Sequence, residues 1–455
     1  MCLVGRSEVL TRSGVLCGDT AVGLTHSQVS ESRSGAPVMI LKGIILFGMI
    51  PFSMILFSVI INPFQFGREL GLGSLIDRAD ELATVERTIR EGGKLFLIGP
   101  RRFGKTSILK TAADRLSAES AIVLRLDAES YPTLDLMVAG IVTSAARHLK
   151  GGVRRAGEQV RRFFHTLRPE LDYSVLDDTW SAKLGIDSSR QDHTVLLTEA
   201  LNGLEQLARA QPKTRPVGLI IDEFQRVVEL GGRVAEGQIR AAIQTHSRIG
   251  YVFAGSKTRM LNDMVTDAAR PFYRLGSKMF LGPIPREDFS RFLEEKFREG
   301  GYSVEPQAIV RLLDLAEDVP YNVQMLAHSC WFRLREGTTA NPSALTQPFV
   351  YETLVYLVRQ QDPFFTQLWR ALTSIQQRTL LAVVEQGGVN LQSTKTAQSV
   401  GRGPGTIRKS LHSMIDSGIL REDHLMSSTR LRFEDPFFAQ WIRVTIMPAN
   451  GLRQA

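Results

Sequence analysis

The chain has 455 residues, of which 43% are hydrophobic, so it is too long for one ordinary domain and too apolar to be intrinsically disordered. Its net charge of +8 permits contact with nucleic acid or anionic lipid without demonstrating either. The three cysteines are widely spaced and form no zinc-binding or redox pattern, which favours a reducing compartment.

The N-terminal region consists of a polar stretch, residues 1–37, followed by a strongly apolar one, residues 38–61. Residues 43–61 are 19 consecutive uncharged residues, enough to cross a bilayer as a helix. Two interpretations are open. Either this segment anchors a cytoplasmic enzyme to a membrane, or the start codon is assigned too far upstream and the functional chain begins near Met49, Met54 or Asn62.

Short apolar runs alternate with helical patterns from residue 95 to about residue 285. The runs predicted as buried strands are 95–98, 121–127, 217–221, 250–255 and 278–281. The helical patterns between them include Thr106–Leu116, Leu134–Leu149 and Thr194–Arg209. This alternation predicts an α/β core over residues 62–285, with a parallel sheet covered by helices on both faces.

The most informative motif is GPRRFGKTS at residues 99–107. It fits the phosphate-binding pattern G-x-x-x-x-G-K-[ST] and lies between a predicted strand and a predicted helix. Glycines let the backbone curl tightly, so that successive N–H groups converge on phosphate oxygens. The predicted phosphate-loop residues are Gly99, Pro100, Arg101, Arg102, Phe103, Gly104, Lys105, Thr106 and Ser107.

Side chains of this motif suit particular parts of a nucleotide. Lys105 can reach the β- and γ-phosphates as a compact cation. Thr106 offers a hydroxyl to Mg²⁺, which keeps several waters and needs few protein ligands. Arg101 and Arg102 lie at the loop apex, where they either contact phosphate or are solvated loop charges.

An acidic pair ends the third predicted strand, in the sequence VGLIIDEFQ at residues 217–225. Asp222 at a strand end can orient Mg²⁺, and Glu223 can polarise a water aimed at the γ-phosphate. Ser256, just after the fourth strand, either holds the attacking water, which we favour, or is a plain turn residue. Arg270 and Arg274 flank an aromatic pair, and either can act as an arginine finger or form a surface salt bridge.

Residues 364–445 form a separate unit in which residues 372–434 have the spacing of a winged helix. The predicted elements are helices at 376–386, 394–400 and 404–416, with a wing hairpin at 419–423 and 429–433. A DNA-binding interpretation assigns contacts to Arg408, Lys409, His412, Arg430 and Arg432. Docking of the same unit on the rest of the chain or on a protein partner is the competing interpretation.

Five segments together resemble the archaeal ATPase family, within the AAA+-related class that includes the STAND ATPases and the archaeal origin-recognition proteins. These segments are NPFQFG at 62–67, LIDRADEL at 75–82, GPRRFGKTS, IIDEFQ and DVPYNVQ at 318–324. VFAGS at 252–256 and the C-terminal winged helix accompany them. The resemblance covers about residues 62–445. It implies a P-loop ATPase with a helical lid over residues 286–350.

The resemblance also implies roles for individual residues. Ile76, Asp77 and Arg78 match the segment beside the adenine, and Pro320 and Tyr321 match the lid segment that closes over the base. The family often has Gly-Arg after the aromatic pair, whereas here Arg274 follows directly. The lid carries Asp318 where the family usually has glycine.

These features favour an ATPase that uses ATP and Mg²⁺ to drive a conformational switch, with Lys105, Glu223, Ser256 and Arg274 in the reaction. Two alternatives are a DNA-binding regulator that holds ATP or ADP with little turnover, and a membrane-tethered scaffold. The expected partners are nucleotide, DNA or a protein at the winged helix, and further copies of the chain.

Overall fold

The computed structural model describes residues 62–68, 75–149, 152–174, 177, 179–185, 193–336, 344–425 and 428–448. The apolar segment 38–61, interpreted above as an anchor or as untranslated, lies outside these residues. Within the described part of the chain, none of the helices combines the length and the apolar character that crossing a bilayer requires.

Strands and helices follow one another along the described chain. The strands are β1 (Lys94–Ile98), β2 (Ile122–Asp127), β3 (Pro169–Ser174), β4 (Thr179–Leu184), β5 (Val217–Asp222), β6 (Ile249–Gly255), β7 (Ser277–Phe280), β8 (Ser303–Val304), β9 (Ala344–Leu345), β10 (Leu420–Leu425) and β11 (Ser428–Phe433). The helices are α1 (Ala79–Arg90), α2 (Lys105–Ala118), α3 (Leu134–His148), α4 (Gly152–Phe163), α5 (His193–Arg209), α6 (Gln225–Thr245), α7 (Thr258–Thr266), α8 (Arg286–Glu299), α9 (Pro306–Leu315), α10 (Pro320–Glu336), α11 (Gln347–Gln360), α12 (Asp362–Arg370), α13 (Ser374–Gln386), α14 (Thr394–Val400), α15 (Pro404–Asp416) and α16 (Pro436–Trp441).

A five-stranded parallel sheet in the order β2-β5-β6-β1-β7 organises the first part of the chain. Each apolar run predicted as a buried strand forms one of these five strands, so the predicted α/β fold is confirmed. β6 lies between β5 and β1, which brings the carboxyl ends of all three strands to one edge. Sites in open parallel sheets form at this edge.

Helices cover both faces of the sheet because successive strand residues point to opposite sides. In β1, Leu95 and Leu97 belong to one hydrophobic cluster with residues of α1 and α2. Phe96 and Ile98 belong to another, with residues of α3, α5 and α6. The strands are therefore buried on both faces, as their uninterrupted apolar sequence predicts.

The antiparallel hairpin β3–β4 lies outside the five-stranded sheet and was not predicted from the sequence. Its strands pair from Pro169 opposite Leu184 to Ser174 opposite Thr179. Trp180 and Ala182 pack against the cluster on the α3 face of the sheet, while alternate residues of β4 are exposed. The strands are short and half polar, which explains why no apolar run marked them.

The helices after β7 pack around one continuous hydrophobic cluster. It joins Phe289 of α8, Leu326 of α10, Leu354 of α11, Leu380 of α13 and Trp441 of α16. The predicted lid and the predicted winged helix thus share a core, and their division at residues 350 and 364 stays a prediction. Within the C-terminal unit, α13, α14, α15 and the β10–β11 hairpin have the order of a winged helix.

Candidate nucleotide-binding site

The loop between β1 and α2 has a shape that only glycine permits at two positions. A Cβ on Gly99 would lie 2.8 Å from the carbonyl oxygen of Leu281, too close for any side chain. Gly104 has a φ of 91°, in the left-handed region that other residues rarely adopt. The loop therefore turns sharply into the N-terminus of α2, where partial positive charge favours an anion.

The ammonium of Lys105 reaches back over this loop. Its Nζ donates to the carbonyl oxygens of Gly99 and Pro100, each at 2.9 Å, and the side chain is buried. Burial lowers the pKa of Lys105, and the carboxylates of Glu223 and Asp222 act in the opposite direction. The loop thus holds a buried ammonium group, for which a negatively charged phosphate oxygen is a favourable partner.

Thr106 and Asp222 connect the loop to the end of β5. Thr106 Oγ1 donates to Asp222 Oδ2 at 2.7 Å, although the two residues are 116 positions apart. Burial raises the pKa of Asp222, while the hydrogen bond from Thr106 lowers it. A hydroxyl and a desolvated carboxylate side by side form a pair of hard oxygen ligands, the type that Mg²⁺ prefers.

Glu223 is held by the end of β6 and by the start of α6. Its Oε2 accepts hydrogen bonds from the Ser256 hydroxyl at 2.8 Å, from the Ser256 N–H at 3.1 Å, and from the Gln225 amide. Burial alone would raise the pKa of Glu223, but Lys105 and these hydrogen bonds together lower it. The residue has a φ of 49°, an uncommon conformation that such a network stabilises.

A cavity of about 600 Å³ opens between the loop and the helices after β7. The predicted nucleotide-binding residues that line it are Ile76, Arg78, residues 101–107, Pro320 and Tyr321. Glu223 also lines it, whereas the lining does not include Gly99, Pro100, Asp77, Asp222 or Ser256.

Phe66 lines the same cavity, although no role was predicted for it. Its ring packs edge-on against Tyr321, with 5.9 Å between the centroids. Arg78 is buried and donates to Glu81 and to the Gly282 carbonyl, so it braces the wall. The aromatic and aliphatic side chains that line the cavity give it an apolar wall.

Comparisons with solved structures give the fold independently. A Walker-type ATPase of Pyrococcus abyssi superposes with a TM-score of 0.55, covering 84% of this chain and 99% of that chain at 16% identity. The chain therefore has the fold of that Walker-type ATPase. The ORC2 protein of Aeropyrum pernix also matches, with a TM-score of 0.47 and 15% identity over 84% of this chain and 96% of that one. No protein-family model and no curated protein matches the chain.

The structure places the two candidate finger arginines differently. Arg270 forms an ion pair with Glu236, whose side chain is completely buried. Arg274 is exposed and lies over the ring of Tyr273, 5.1 Å from its centroid. Arg270 is therefore part of the packing, and Arg274 is presented at the surface, outside the cavity of its own chain.

The five candidate DNA contacts fall into two groups. Arg408, Lys409 and His412 are exposed on α15. Arg430 Nε donates to the Gly387 carbonyl, and Arg432 forms ion pairs with Asp423 at 2.6 Å and Glu317 at 3.1 Å. The wing arginines are thus engaged within the chain, while those of α15 face outward.

Asp318, at the lid position where the family usually has glycine, is held by a local ion pair. Asp318 forms an ion pair with Arg286 of α8 at 2.9 Å. Its φ of 56° lies in the left-handed region, where the family usually has glycine. The pairing directs this acid toward α8.

Proposed function

We propose that this protein binds ATP with Mg²⁺ and hydrolyses it to drive a conformational switch. The observation that carries the proposal is the 2.7 Å hydrogen bond from Thr106 to Asp222, because it joins the phosphate loop to the acidic end of β5. Lys105, next to Thr106, supplies the positive charge for the phosphates. The fold shared with a Walker-type ATPase supports the same assignment.

Thr106 and Asp222 are the residues that would hold Mg²⁺. Their oxygens suit a hard cation, and a cation would relieve the cost of burying the Asp222 carboxylate. Bound there, Mg²⁺ would supply positive charge that stabilises charge developing on the phosphates.

Glu223 is assigned to water activation. Its lowered pKa keeps it ionised at neutral pH, so it is available as a base. Oε2 of Glu223 accepts the hydrogen bonds from Ser256 and Gln225. We therefore assign contact with the attacking water to Oε1. Ser256 then acts as a positioning residue for Glu223.

The test is phosphate release from ATP by the full-length chain, with Mg²⁺ and with the metal chelated. We expect turnover that requires the metal. Absence of turnover, combined with ADP that remains bound through purification, would favour the second candidate described next. Equal turnover with and without chelator would contradict the metal assignment.

A nucleotide-regulated DNA-binding protein is the second candidate. The observation in its favour is that Arg408, Lys409 and His412 are all exposed on α15. DNA retention that falls steeply with salt would support it.

Assembly with further copies of the chain would give Arg274 a role. Its exposed position suits a finger that reaches the nucleotide of a neighbouring subunit better than one acting within its own chain.

A further inference from the structure

The phosphate loop is already contacted by an acid of the same chain. Glu434, immediately after β11, accepts a 3.0 Å hydrogen bond at Oε1 from the backbone N–H of Arg101. Backbone N–H groups of such a loop are the donors that converge on phosphate oxygens. A carboxylate of the protein therefore occupies one donor of the proposed phosphate site.

Two further contacts join the wing hairpin and the turn that follows it to the phosphate loop. Asp435 forms an ion pair with Arg102 at 2.6 Å. The Arg421 guanidinium, from β10, lies over the Phe103 ring, 5.2 Å from its centroid. Three consecutive loop residues thus each contact the wing or the turn that follows it.

The charge of Glu434 acts on the centre of the site. Glu434 opposes the burial that lowers the pKa of Lys105. Burial raises the pKa of Glu434 itself, while Arg421, the Arg101 N–H and Lys105 act in the opposite direction. The carboxylate thus lies within the field of the same cation that would bind the β- and γ-phosphates.

We propose that Glu434 is a further affinity-determining residue of the nucleotide site, whose carboxylate competes with the nucleotide phosphates for the loop. The inference rests on the nucleotide binding proposed above. Phosphate and carboxylate are both anions, and two like charges at one set of donors oppose each other. Nucleotide binding and docking of the wing against the loop are therefore antagonistic.

The consequence extends to the wing. While the β10–β11 hairpin is docked, Arg432 forms ion pairs with Asp423 and Glu317. Binding of a nucleotide phosphate at the loop would displace Glu434 and so weaken the docking of this hairpin, which carries basic side chains. The winged helix shares its hydrophobic core with the lid helices, and the lid helices line the nucleotide cavity. Undocking of the hairpin from the loop therefore moves the lid helices and the winged helix together, or releases them from the loop.

The direct test compares nucleotide affinity of the full-length wild type with that of Glu434→Gln. Glutamine keeps the shape and the acceptor oxygen and removes the charge. We expect ATP and ADP to bind about tenfold more tightly, which is the ratio that roughly 1.4 kcal/mol produces. Adenosine, measured by competition against labelled ADP, should bind equally weakly to both. Glu385→Gln, an exposed change on α13, is the matched control and should leave every affinity unchanged.

Three outcomes would overturn the inference. Equal ATP affinity in the wild type and Glu434→Gln would remove Glu434 from the site while leaving nucleotide binding intact. Equal tightening of adenosine and ATP would show a general loosening of the cavity and not competition with phosphate. Failure of both proteins to bind nucleotide would reject the proposed function and this inference with it.

A second readout uses the wild type alone, so it does not depend on how a variant folds. Amide hydrogen exchange of the segment 428–435 should become faster when ADP saturates the protein, because an undocked hairpin opens more readily. Unchanged or slower exchange at full occupancy would contradict the antagonism.

Discussion

At the scale of single residues, the site depends on charges held away from water. Lys105, Asp222 and Glu223 are all largely buried, and each is stabilised by a partner among the others or by a neighbouring hydroxyl. Desolvation strengthens their mutual electrostatic interactions compared with those at the protein surface. The three residues therefore act as one unit, and changing any of them alters the environment of the other two.

Glu223→Gln should separate binding from hydrolysis. Glutamine keeps the size and part of the hydrogen bonding to Ser256 but cannot accept a proton, so we expect ATP affinity within a few-fold of the wild type. The turnover rate should fall by a factor on the order of 10²–10⁴. Single-turnover phosphate release measures this, with Glu385→Gln as control. A variant that turned over like the wild type would exclude Glu223 as the base.

The residues of the loop motif could be placed from the sequence because their spacing is local and their chemistry demands particular residue types. The positions of Phe66, Glu434 and Asp435 at the site could not be predicted from the sequence. Glu434 reaches Arg101 across 333 positions, and only tertiary packing brings such residues together. No local pattern marks an acid that contacts a phosphate loop.

At the scale of elements, local signals decided which boundaries could be predicted. α14 runs from Thr394 to Val400, as predicted, because Ser393 caps its start and Gly401 ends it with a φ of 68°. Pro404 occupies the first turn of α15, where its missing N–H costs nothing. The β3–β4 hairpin lacks such signals, since its strands alternate polar and apolar residues without an apolar run.

The junction between β1 and the loop provides a test of packing. Gly99→Ala would place a Cβ against the Leu281 carbonyl, so we expect the free energy of unfolding to fall by roughly 1–3 kcal/mol. Urea unfolding measures it. Gly157→Ala on α4 is the control, because a Cβ there meets nothing within 4 Å and alanine favours a helix. Equal effects of the two changes would contradict the close approach.

At the scale of the whole molecule, two bodies meet at the phosphate loop. The sheet and its helices carry Lys105, Asp222 and Glu223, while Tyr321 comes from helices that share a core with the winged helix. Sequence periodicity predicted both sets of helices but not their common core, because side-chain packing between distant segments leaves no periodic mark. The cavity proposed for the nucleotide lies where the two bodies face each other, and the proposed switch requires such a position.

The most direct test of the central claim is calorimetric titration of Mg²⁺-ATP into the full-length wild type and Lys105→Ala. We predict saturable binding by the wild type and an affinity at least tenfold weaker in the variant, since a buried cation at the phosphates is lost. Lys110→Ala, a change at a partly exposed residue of the same helix, should bind like the wild type. A wild type that gives no binding heat, or a Lys105→Ala variant that binds ATP as tightly as the wild type, would contradict the account.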